Sequence, residues 1–165
     1  MKNLLSSVAI ILSTLPAPLA LATDVIRHRN IGMELARDLA TEAIIVCRKD
    51  GYHISAVVVD RFGILRAALR DDIASRFTLQ IAEEKANAVV LAGIPSGQFR
   101  DSRGDIRPEL NHINGIIMMQ GGLPINAGGS RIGAIGVSGA PGGEKDEACA
   151  AKALEIMMER LEFAE

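Results

Sequence analysis

The sequence predicts an α+β domain: a two-layer arrangement in which an antiparallel sheet carries helices packed on one face. Three observations lead there. Apolar residues recur at helical spacing in three separate stretches. Short apolar runs bounded by turn residues lie between them. The strand-like runs come in consecutive pairs instead of alternating singly with helices, so neighbouring strands are expected to run antiparallel.

The first helix is expected over Asn30 to Arg48, where Ile31, Leu35, Leu39, Ala43 and Val46 fall three or four residues apart and Gly51 gives a stop. His53 to Asp60 reads as a strand, and its Ala56-Val57-Val58-Val59 run is too apolar for a face in water. Asp60-Arg61-Phe62-Gly63 is a turn signal, and Ile64 to Leu69 returns as the second arm of a hairpin. A second helix spans Ser75 to Leu91, with Phe77, Ile81, Ala88 and Ala92 on its inner side and Gly93-Ile94-Pro95 at its end. Ser96 to Asn114 reads as a long polar loop, a length associated with function or mobility. Gly115 to Met119 and Ile132 to Val137 are the last two expected strands, and Glu144 to Glu162 the last helix.

The termini and composition set the compartment and the partners. Lys2, an apolar stretch from Leu4 to Leu15, Pro16-Ala17-Pro18 and the A-x-A signal Ala20-Leu21-Ala22 together read as a signal peptide over 1–22. The stretch is short for a bilayer span, and no cysteine follows the cleavage signal, so no membrane anchor is expected. Residues 23–165 then form a single exported domain, periplasmic or secreted. A formal net charge of −2, no tryptophan and one tyrosine give no footing for nucleic acid. Cys47 and Cys149 are either a disulfide, which an oxidising compartment permits, or two small buried hydrophobes.

The densest signal is Gly121 to Glu155, where Gly133, Gly136, Gly139 and Gly142 recur every third residue ahead of the last helix. Such a joint either cradles a flat ligand or only packs tightly. It matches no nucleotide fingerprint, and Glu144, Asp146 and Glu147 in the first helical turn would repel a phosphate. Ser138 is not in a G-x-S-x-G elbow, and no carboxylate pair for hydrolysis stands out, so no catalytic residue is assigned.

Ile54 to Asp60 with Gly63, then Ile81-Ala82-Glu83-Glu84-Lys85-Ala86, then Gly121-Gly122 through Ile132 to Gly139 with Asp146-Glu147, together resemble the GlcG/HbpS-like family. That family also includes the C-terminal domain of the PduO adenosyltransferases. The resemblance implies a profilin-like fold and homo-oligomers. It also implies haem binding in several members, some exported and linked to haem sensing, iron handling or oxidative stress. The chain departs from the pattern between the second helix and third strand, where Arg100, Arg103, Arg107 and His112 replace a small Gly- and Pro-rich segment.

Candidate haem contacts follow from that resemblance. His112 stands first as an iron ligand, since a neutral imidazole can ligate haem and Arg103 and Arg107 could pair with propionates. The alternative is a solvated loop histidine. His53 opens a strand, and His28 lies between two arginines near the expected mature terminus. Lys85 matches a family lysine and would either support an acidic ligand or pair with a glutamate on the helix surface. Adjacent Met118 and Met119 would face opposite sides of a strand. The expected function is an exported haem- or tetrapyrrole-binding protein that stores, senses or scavenges its ligand. The alternative is a cofactor-free oligomeric accessory protein that stabilises a periplasmic partner enzyme or sensor.

Overall fold

A computed structural model describes residues 25–164; the expected signal peptide lies outside them. Helix α1 (Met33–Lys49) leads into the hairpin β1 (Ser55–Asp60) and β2 (Leu65–Arg70), followed by α2 (Phe77–Ala92). Short helices α3 (Ser96–Ser102) and α4 (Arg107–Leu110) precede the hairpin β3 (Gly122–Ala127) and β4 (Ser130–Ser138). The chain ends in α5 (Gly143–Ile156) and α6 (Met158–Glu162). The four strands form one sheet in the order β2-β1-β4-β3, with every pairing antiparallel, and the α+β class is as expected.

The turns have local causes. The Asp60 carboxylate accepts hydrogen bonds from the Phe62 and Ile64 backbone N–H groups at 2.9 and 3.0 Å, and Gly63 takes a positive φ of 85°. That closes the first hairpin. Helix α2 stops at Gly93, whose left-handed backbone lets its N–H reach the Val89 carbonyl.

The central strand β1 is buried on both faces, which decides the layering. Ala56 and Val58 face the cluster that holds Leu39, Ala43 and Ile44 of α1 and Ala150 and Ala153 of α5, together with Ile135 and Val137 of β4. These helices share one face, as expected. Val57 and Val59 point the other way, onto Ala82, Ala86 and Val89 of α2. So α2 covers the second face, the consequence of a strand with no polar alternation. Glycine makes this contact close: a Cβ at Gly136 would collide with the Ala82 carbonyl oxygen, and one at Gly122 would sit 2.5 Å from that of Lys85.

Three expectations are revised. Gly115 to Met119 is not a strand, because the Met118 N–H is taken by the Asn111 side chain, outside any ladder. The third strand lies later, at Gly122–Ala127, where Pro124 is tolerated because β3 is an edge. The polar loop contains α3 and α4, and the last helix breaks at Met157. Met118 is buried beside Ala88 and Phe99, while Met119 is exposed. Cys47 and Cys149 are bonded, joining α1 to α5.

Candidate functional site

Ser55 of β1 pairs with Arg70 of β2 and with Ser138 of β4, so the start of β1 and the ends of β2 and β4 meet at one end of the sheet. Asp71 follows β2 there and is 2% exposed. Arg48, in the last turn of α1, donates to it twice: Nε to Oδ2 at 2.8 Å and Nη2 to Oδ1 at 2.6 Å. The Asp72 N–H adds a third bond at 2.7 Å. His53 Nδ1 stands 3.0 Å from Oδ2, with its side chain 42% exposed. The Arg48 bonds come first in holding the Asp71 carboxyl well below the usual range, against the opposing effect of burial and with help from His53 and the Asp72 N–H. Beside this cluster the Ser55 and Thr78 hydroxyls meet at 2.8 Å, tying β1 to α2.

The glycine-rich joint backs the same end. Gly139 has φ of 134°, and a Cβ there would lie 2.7 Å from the His53 carbonyl oxygen. The joint is held by Asp146, whose Oδ1 accepts the Ala140 N–H at 2.9 Å. The other oxygen of Asp146 meets Lys85 Nζ at 2.7 Å, and Nζ also donates to the Val137 carbonyl at 3.0 Å. Lys85 is 1% exposed. It clasps α2, on one face of the sheet, to α5, on the other, instead of sitting on the helix surface. Burial pushes the Asp146 carboxyl upward, opposed by Lys85 and by the Ala140 N–H.

The other sequence candidates lie elsewhere. Arg103 is exposed and engages Asp105 two residues away. It also borders an apolar cleft of about 460 Å³ with Leu91, Phe99 and Leu110. Arg107 and His112 are exposed in and after α4, and His112 has no close side-chain partner among the described contacts. His28 packs edge-on against Phe62 of the β1–β2 turn, at the opposite end of the sheet from His53. It borders a cleft of about 350 Å³ that adjoins a wider one of about 760 Å³ between the start of α1 and the end of the chain. The three histidines therefore do not converge. Among the described residues, no group of three or more metal-binding side chains gathers either.

Sequence reasoning missed Arg48 and Asp71, and it read Asp146 as a first-turn acidic residue and part of the family signature, without its partner Lys85. Asp71-Asp72 reads as two simple neighbours on opposite faces or turns; nothing local shows that it is Asp71 that faces inward while the side chain of Asp72 stays 96% exposed. The available signal was the run His53 to Asp71 taken as one hairpin, which brings those two residues to a common end.

An antiparallel sheet with α1 and α5 on one face and α2 clasped to the other defines the class of domain. The family model described as haem-degrading protein HbpS-like matches residues 31–155, and the chain belongs to this HbpS-like family. A double mutant of HbpS from Streptomyces reticuli is 31% identical, with 87% of this chain and 99% of that one covered and a TM-score of 0.76. Protein ORFY of Klebsiella pneumoniae is 25% identical over 84% of this chain and 98% of its own, also with a TM-score of 0.76. A structure of PduOC in complex with haem shares the fold at 20% identity, covering 76% of this chain and 94% of that one, with a TM-score of 0.67. No curated protein matches the sequence.

Proposed function

We propose that this protein is exported, binds haem or a related tetrapyrrole, and stores, senses or scavenges it. The carrying observation is that the HbpS-like span, residues 31–155, presents solvent-accessible imidazoles on its own fold, at His53 and His112. A haem-bound PduOC with the same fold supports the choice of ligand class. Bound haem would supply the iron chemistry; the chain supplies a neutral imidazole, apolar surface and cations for the propionates. Titration of the protein with haemin, followed by absorbance, tests the reading. A saturable Soret shift at one haem per chain is expected, and a flat response overturns it. Export is tested by finding the processed protein, beginning at Thr23, in the periplasm or medium.

A second reading, a cofactor-free oligomeric partner protein, is favoured by one surface. Strand β2 is an open edge, and Phe62, Ile64 and Leu65 beside it are 57%, 61% and 48% exposed. It predicts a colourless oligomer and co-purification of a periplasmic partner.

A further inference from the structure

We infer that His53 is the iron ligand of this chain and that Asp71 is its positioning residue. The inference rests on the haem-binding reading above and selects one of the three histidines.

Both oxygens of Asp71 already accept bonds from Arg48, at 2.8 and 2.6 Å. A carboxylate can only accept, so the 3.0 Å contact requires that His53 Nδ1 carry the hydrogen. Neutral His53 then has its lone pair on Nε2, on the side of the ring away from Asp71. The side chain is 42% exposed, and no described hydrogen bond engages Nε2. A buried carboxylate fixing one ring nitrogen while the other is free is the arrangement that orients histidine toward a metal and raises its basicity. Neither His28 nor His112 has a carboxylate partner among the described contacts; His28 meets only the Phe62 ring.

Asp71 is itself buried and bonded on several sides. Arg48 grips it from α1, its backbone N–H is bonded to the Ile54 carbonyl, and the Cys47–Cys149 bond fixes the helical turn that carries Arg48. The imidazole is thus held by a fixed frame, which reduces the ordering cost on ligation.

The surroundings suit an amphiphilic planar ligand. The segment between the Asp71–His53 and Thr78–Ser55 contacts presents Ile73 at 73% and Phe77 at 57% exposure, so apolar surface is tethered at both ends beside the histidine. Arg76 lies over the Phe77 ring, and Lys145 over Tyr52, the neighbour of His53. Arginine and lysine are the residue types that pair with carboxylates.

Two measurements test this. Long-range ¹H–¹⁵N spectra of the haem-free protein should show His53 with hydrogen on Nδ1, and Asp71→Asn should shift it toward the form with hydrogen on Nε2. Haemin titrations of the unmodified protein and of His53→Ala, His28→Ala and His112→Ala should then show the Soret shift lost only in His53→Ala and restored there by free imidazole. Asp71→Asn should keep the band, weaken binding by about 10- to 100-fold and raise the reduction potential. An unmodified protein that binds while His53→Ala titrates identically overturns the inference and leaves haem binding standing. So does hydrogen on Nε2 in the unmodified protein. An unmodified protein with no saturable band overturns both.

Discussion

Two regions of this molecule are rich in residues that could hold an acidic, iron-bearing ligand, and they are built in opposite ways. At the sheet end, His53 is held by Asp71, Asp71 by Arg48, and the backing joint by Asp146 and Lys85, with contacts from α1, β1, β2, α2, β4 and α5. In residues 96–114, three arginines and a histidine follow each other closely in sequence, yet Arg100 and Arg103 engage only Asp101 and Asp105 nearby, and His112 stands free of polar side-chain contacts among those described. The density of candidate residues along the chain is higher in the second region. The first has what a binding group needs, a buried partner that fixes its orientation.

The comparison breaks most visibly if the sheet end is not a cooperative unit. Lys85→Ala leaves the Asp146 carboxylate buried without its cation, and the expected loss is about 3 to 5 kcal/mol in urea unfolding. The double variant Lys85→Met with Asp146→Leu should recover most of it, since a matched apolar pair leaves no uncompensated charge. Equal losses in single and double variants would mean that the clasp is not the cause. Next in size is the Cys47–Cys149 bond, which closes a loop with a sequence separation of 102. Replacing both cysteines by alanine should cost about 2 to 4 kcal/mol, mainly through the unfolded chain. The same change should broaden the His53 ring resonances, because Arg48 follows Cys47 directly.

Acid should remove the stability that the Asp71–Arg48 pair contributes to the fold as a whole. The folded pKa of Asp71 is depressed, chiefly by Arg48, so its ionised form contributes stability above the ordinary aspartate value. That contribution is lost progressively as pH falls below about 4 toward the lower folded value. Asp146 runs the other way: burial raises its folded value, so its contribution is largest at low pH and fades as pH rises through that value. Arg48→Met should therefore flatten the acid limb of the stability profile, measured as the urea midpoint between pH 6 and pH 3. An unchanged limb would show that other carboxylates govern it.

How much of this was legible in the sequence follows from the range of each interaction. The first hairpin, α1 and α2 are written in local periodicity and turn residues, and they appear where expected. The covering of the second face by α2 was not expected, although its signal stands in Ala56 to Val59, a run with no residue fit for water. Strand β3 was missed because Leu123-Pro124-Ile125 contains a proline that is acceptable only at an edge, and edges are defined by topology. Lys85 and Asp146 were each singled out while their pairing was not, since they lie 61 residues apart across the sheet. Asp71 was invisible for the same reason: its inward orientation depends on Arg48, 23 residues earlier. The site is therefore assembled from pairs that no local pattern encodes.

The smallest expected effect is the sharpest test of the contrast. Arg103→Ala, Arg107→Ala and His112→Ala, singly or together, remove exposed side chains whose described contacts are local, and exposed pairs of this kind are screened by solvent. The urea midpoint should stay within error of the unmodified protein, and the haem band should keep its position and affinity. Added salt should make no difference between the triple variant and its parent. Suppose instead that the triple variant keeps its stability and loses the band. Then residues 96–114 would be a functional surface independent of the folding frame, with Arg103 at the rim of the cleft formed by Leu91, Phe99 and Leu110 as its starting point. A band that persists there but vanishes in His53→Ala would leave the sheet end as the place where orientation and ligation coincide.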